Sequence, residues 1–140
     1  MNSHPRFRSV VLDSTAPRRL AEFYRQLLGY EYRLGDEPPP SGAVDGAGQD
    51  WLVLEKPGAP RLAFQHVDEL PRSSWPGVEV PQQLHLDLTV PTAAELAVQR
   101  DHALALGARL LLDRSHDPAE PLYVFADPDG HPFCIFVWPG

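Results

Sequence analysis

The chain has 140 residues, the size of one ordinary domain, and 43% of them are hydrophobic, enough for a core. Nineteen acidic residues against 12 basic ones give a formal net charge of -7. That balance argues against nucleic acid and anionic membrane surfaces, which reward clustered positive charge. No apolar run reaches the roughly 18 residues of a membrane span, the opening MNSHPRFRSVV lacks the apolar stretch of a signal peptide, and a single cysteine excludes an internal disulfide; a soluble cytoplasmic protein is expected.

In chain order, residues 7–13 (FRSVVLD) read as a strand and residues 16–28 (APRRLAEFYRQLL) as a helix. Pro17 suits the first helical turn. Leu20, Phe23, Tyr24, Leu27 and Leu28 recur at helical spacing and form one apolar face. Gly29 is placed to stop the helix, while Arg18, Arg19 and Arg25 read as its solvated side. YEYRLG (30–35) alternates as a second strand. Proline and glycine mark 36–49 as a loop. DWLVLE (50–55) and RLAFQHV (61–67) are further strands around the turn KPGAP, and the polar, proline-rich stretch 68–82 reads as a linker.

The pattern then repeats. QLHLDLTV (83–90) is a strand, and residues 92–108 are a helix with Thr92 and Glu95 at capping-box spacing and Gly107 at its end. ARLLLD, PLYVFAD and HPFCIFVW are strands, the last two separated by the turn Asp127-Pro128-Asp129-Gly130. Two carboxylates in a four-residue turn are ordinary turn chemistry rather than a calcium site. One α+β domain over 1–140 is expected, built from an internal repeat, 6–67 and 83–138, joined by the linker 68–82. Each helix must cover one face of its four strands, which leaves the other sheet face free to meet its counterpart or to line a cavity.

LAEFYRQLLGY after the first strand, LHLDLTV opening the second half and DPDGHPF near the end, in that order, resemble the vicinal oxygen chelate superfamily, which includes glyoxalase I, bleomycin-resistance proteins, fosfomycin-resistance enzymes and extradiol dioxygenases. LAFQHV before the linker and the cysteine after the turn are most similar to small glyoxalase-like domain proteins. The resemblance implies the glyoxalase/bleomycin resistance/dihydroxybiphenyl dioxygenase-like fold: two βαβββ modules with mixed, curved sheets. It also implies a homodimer.

The resemblance further implies metal ligands at the start of the first strand and on the last strand of each half. Those positions fall here on Ser9, His85 and Cys134, with the fourth on strand 61–67. A hydroxyl is a poor ligand for a transition metal, and the usual carboxylate is replaced by a thiol. On strand 61–67, alternation groups Ala63 with Gln65; the register stays open, and only Gln65 has a donor. Cysteine also packs as a small buried hydrophobe, so Cys134 reads as a pocket-lining residue. His85 shares the polar face of its strand with Asp87 and Thr89, opposite Leu84, Leu86 and Leu88. No cofactor is expected; if a divalent metal is present, His85 is the best candidate to hold it.

The expected function is binding of a small aromatic or cationic organic molecule in a sheet-lined pocket, without the usual metal. The expected pocket residues are Ser9, Asp13, Trp51, Gln65, His85, Asp87, Phe125, Cys134 and Phe136. An aromatic wall with a few polar groups suits a flat organic ligand, and Asp13 and Asp87 suit a cation. The alternative is a metal-dependent lyase or dioxygenase of the glyoxalase type using His85. Whether the protein is an enzyme stays open at this stage, and no nucleic acid or membrane partner is expected.

Overall fold

The computed structural model describes residues 4–140. The chain divides at Leu70/Pro71 into two compact units. The first contains β1 (Ser9–Ser14), α1 (Pro17–Leu28), β2 (Glu31–Tyr32), β3 (Trp51–Glu55) and β4 (Arg61–His66); the second contains β5 (Leu86–Val90), α2 (Ala93–Leu106), β6 (Arg109–Arg114), β7 (Leu122–Ala126) and β8 (Pro132–Val137). Each unit is a βαβββ module, the fold that the resemblance implies. The strand orders are β1-β4-β3-β2 and β5-β8-β7-β6. In both, the first strand pairs parallel with the last and the remaining pairs are antiparallel, so both sheets are mixed.

The helix ends follow local chemistry. Ser14 Oγ accepts the Ala16 N–H at 2.9 Å just before α1, and Pro17 supplies a first position that needs no hydrogen bond. Gly29 closes α1 at φ 69 and Gly107 closes α2 at φ 113, a left-handed backbone that a residue with a Cβ resists. Thr92 Oγ1 accepts the Glu95 N–H at 3.2 Å, the cap expected from the spacing.

Leu20, Ala21, Phe23 and Tyr24 of α1 are buried with Leu12, Leu52, Leu54, Leu62 and Phe64. Tyr24 stacks on Phe64 with centroids 6.0 Å apart and meets Phe23 edge-on at 5.0 Å. The second core is centred on Tyr123, Phe125, Phe133 and Ile135, with Phe125 and Phe133 stacked at 5.1 Å. Only Leu96 and Ala103 of α2 are buried, so that helix covers its sheet with a much narrower stripe than α1 does.

Three expectations are corrected. The strand expected over 30–35 is a two-residue element. Arg33 still donates to the Val53 carbonyl at 2.9 Å, but beyond it the Asp36 carboxylate, not a backbone carbonyl, accepts the Val53 N–H, also at 2.9 Å. A side chain thus ends the ladder. The strand expected over 83–90 begins at Leu86. Continuing the parallel register would set His85 opposite Pro132, which has no N–H to contribute. Arg18 is not a solvated helix residue. Its guanidinium binds Asp45, the Asp36 carbonyl at 2.6 Å and the Glu37 carbonyl at 3.4 Å, fastening the loop after β2 to the start of α1.

The closing turn is built as ordinary turn chemistry requires. Asp127 Oδ1 accepts the N–H groups of Asp129 at 2.9 Å and His131 at 3.0 Å, and Gly130 sits at φ 93.

Candidate functional site

Strand register decides which side chains share a face. In the first unit Asp13 and Trp51 both pair with Gln65, so the three lie side by side on the sheet face away from α1. This settles the register of β4: Ala63 and Gln65 share the face turned away from α1, with Ala63 buried and Gln65 exposed and flanked by a carboxylate and an indole. Ser9 pairs with Arg61 and stands on the same face, four residues and about 13 Å along β1 from Asp13.

In the second unit Asp87 pairs with Cys134, and Cys134 with Val124. Phe136 follows on the same face, opposite Thr89 and Leu122. His85 Nε2 lies 3.2 Å from Asp87 Oδ1, and ligand atoms of His85, Asp87 and Cys134 all fall within 4.8 Å of one another. His85 and Asp87 are exposed, with side chains 40% and 56% accessible, whereas Cys134 is half-buried. Burial, reinforced by the charges of Asp87 and Glu120, pushes the Cys134 thiol up to about 11. The thiol therefore keeps its proton at neutral pH, and the ground around it is electronegative.

Phe125 is the expectation that fails. It pairs with Phe133 on the helix-facing side, is 0% exposed and belongs to the core. The residue of β7 beside Cys134 is Val124. Trp75 was missed: its indole lies nearly parallel to the His85 imidazole, at 13° with centroids 6.3 Å apart. A tryptophan in an otherwise polar, proline-rich stretch was the available signal, since a large apolar side chain there needs something to cover it.

The match that decides the family is to the glyoxalase-like domain model, over residues 9–136. The chain belongs to the glyoxalase-like domain family. No curated protein sequence matches it. Solved structures of the same fold include a glyoxalase/bleomycin resistance protein/dioxygenase family enzyme from Burkholderia phytofirmans PsJN, at 16% identity and TM-score 0.66, covering 94% of this chain and 97% of that one. A glyoxalase/bleomycin resistance protein/dioxygenase from Nocardioides matches at 17% identity and TM-score 0.62, covering 99% of this chain and 86% of that one. The fosfomycin resistance protein FosX from Listeria monocytogenes, in complex with Mn(II) and dihydroxypropylphosphonic acid, matches at 14% identity and TM-score 0.65, covering 97% and 90%. At these identities the likeness is one of fold. Among the described residues, no helix is long and apolar enough to cross a membrane.

This glyoxalase-like chain offers a poor donor set for a hard divalent ion. The two ladders are equivalent position by position: Val11 pairs with Ala63 where Asp87 pairs with Cys134. The first unit therefore has Ala63 where the second has Cys134, and Ser9 where the second has His85. The second unit has three donors, but one is a thiol, a soft ligand ill matched to a hard divalent ion. The ligand set that the resemblance implies is thus broken at Ser9 and Cys134.

Proposed function

We propose that the chain binds a small organic cation, flat or aromatic, on the open face of its second sheet, without a resident transition metal, and that it works as a homodimer in the cytoplasm. The observation that carries this reading is the row His85, Asp87 and Cys134, with the Asp87 carboxylate exposed at its centre; burial and then the charges of Asp87 and Glu120 disfavour negative charge on the thiol. The same field favours a positive ligand. Phe136 and Trp75 supply apolar, polarisable surface beside it. The dimer rests on the family resemblance.

Ligand-detected NMR with phenyltrimethylammonium, its neutral isostere tert-butylbenzene and the anion benzoate tests the reading. The ammonium is expected to bind best, and Asp87→Asn to weaken it severalfold. Equal binding of all three, or a preference for benzoate, would sink the cation reading. A light-scattering mass near 15.6 kDa at micromolar concentration would sink the dimer.

A second reading, a metal-dependent lyase or dioxygenase of the glyoxalase type using His85, draws on the convergence of three donors within 4.8 Å. FosX, which shares the fold, is described with Mn(II). Metal content of protein purified without chelator separates the two readings. About one transition metal per chain, lost in His85→Ala, would put the second reading first.

A further inference from the structure

The stretch 71–82 is organised, and its organisation delivers one side chain to the row just described. Arg72 Nη2 donates to the Pro128 carbonyl at 2.7 Å, which ties the start of the stretch to the turn before β8. The Arg72 stem passes over Gly130 so closely that a Cβ there would lie 2.9 Å from Arg72 Cγ. The stretch then closes on itself: Ser74 N–H donates to the Val80 carbonyl at 2.8 Å, Val80 N–H to Ser74 Oγ at 2.9 Å and Gly77 N–H to the Ser74 carbonyl at 2.7 Å. Inside that closure the Trp75 N–H donates to Ser73 Oγ at 3.1 Å. The backbone carrying the indole is therefore pinned on both sides. The indole lies beside the His85 ring and nearly parallel to it, at 13° with centroids 6.3 Å apart, and His85 in turn points Nε2 at Asp87.

We propose that Trp75 is a specificity-determining residue of this face, which holds the His85 ring in place and presents an aromatic surface to an organic cation. This rests on the cation-binding reading above. Two features meet in it. The indole is the side chain best suited to attract a cation over its face. It also stands beside the Asp87 carboxylate through a single intervening imidazole. A partly exposed tryptophan held by backbone bonds, rather than sunk into a core, is already ordered, so a ligand that meets it bears little ordering cost.

Two readouts test the proposal, one of which needs no ligand. In NMR spectra of the histidine ring protons, Trp75→Ala should move the His85 signals as the neighbouring indole is lost; unchanged His85 signals would overturn the positioning role. For phenyltrimethylammonium, Trp75→Ala and Trp75→Leu should both weaken binding about tenfold, and Trp75→Phe only about two- to threefold, since a smaller ring keeps part of the attraction. Val98→Ala, an exposed control on α2, which covers the opposite face of the sheet, should bind like the unmodified protein. Leucine binding as well as tryptophan would overturn the aromatic role. If Trp75 variants bind normally while Asp87→Asn does not, this inference fails and the cation-binding reading stands. If the unmodified protein binds none of the three probes, both fail.

Discussion

The Arg18 guanidinium grips the Asp45 carboxylate with two parallel bonds, Nε to Oδ2 at 2.8 Å and Nη2 to Oδ1 at 2.9 Å, across 27 residues of chain. With the carbonyls of Asp36 and Glu37 on the same guanidinium, and the Tyr32 ring 4.9 Å beneath it, one side chain organises the long loop between β2 and β3. Fork-on-fork geometry is the form of ion pair that repays holding two side chains still.

Arg18→Ala should destabilise the protein by about 1–2 kcal/mol, below the full value of a buried charged bond because both partners are partly solvated. Arg18→Lys should recover only part of this, having one charge but no fork. The Arg18 bond holds the Asp45 carboxyl below its ordinary 3.8. A depressed folded value means the contribution is present above 3.8 and is lost as pH falls through the folded value. Urea titrations from pH 7 to 3 should therefore show the gap between Arg18→Ala and the unmodified protein narrowing at the acid end.

Gly48→Ala should be costly for the same reason. Asp45 Oδ1 also accepts the Gly48 N–H at 2.9 Å, and a Cβ at Gly48 would overlap that carboxylate. The two substitutions strike one group, so their effects should not add. A double-mutant cycle should give a coupling of about 0.5 kcal/mol or more, with Arg18→Ala/Gly48→Ala less damaged than the sum. Strict additivity would show that Asp45 does not link the two sites.

Those partners explain what was and was not legible in the sequence. Gly29, Gly107 and the Thr92–Glu95 pair were readable because a cap is completed within four residues. The face shared by Asp13, Trp51 and Gln65 was readable up to register, because alternation is a local property. Arg18 was misread because its partners lie 18 and 27 residues away, in a loop with no periodicity. Phe125 was misplaced because the face it occupies depends on the hairpin length. The register pairs Ala126 with Pro132, leaving five residues between them, and one more or one fewer would exchange the faces of β7 relative to β8. Trp75 needed the closure of 71–82, which hydroxyl-to-backbone bonds of Ser73 and Ser74 create.

The corrected place of Phe125 has a measurable consequence. Phe125 is 0% exposed and stacked on Phe133, so Phe125→Ala should lose about 3–5 kcal/mol to the cavity it leaves. Phe136 is only partly covered, and Phe136→Ala should cost under about 2 kcal/mol while weakening phenyltrimethylammonium. Denaturant midpoints give the first comparison and ligand titration the second. The reverse order of stability losses would return Phe125 to the open face.

Cys134 carries the last prediction, because its surroundings make two independent demands on it. Burial comes first among the causes that raise its thiol from 9.0 to about 11, followed by the charges of Asp87 and Glu120. The thiolate is the reactive form, so iodoacetamide should modify the native protein slowly at pH 8. Asp87→Asn removes a negative charge that disfavours the thiolate; it should lower the thiol value and speed modification. The same shift bears on stability. The folded protein holds the proton more tightly than the unfolded chain, so stability from this group is constant below 9 and declines as pH climbs towards 11. Cys134→Ser has nothing to titrate in that range and should flatten this part of the alkaline profile. Fast alkylation at pH 8, or an alkaline profile indifferent to Cys134→Ser, would mean that the thiol is not held in its protonated form by the face it shares with Asp87.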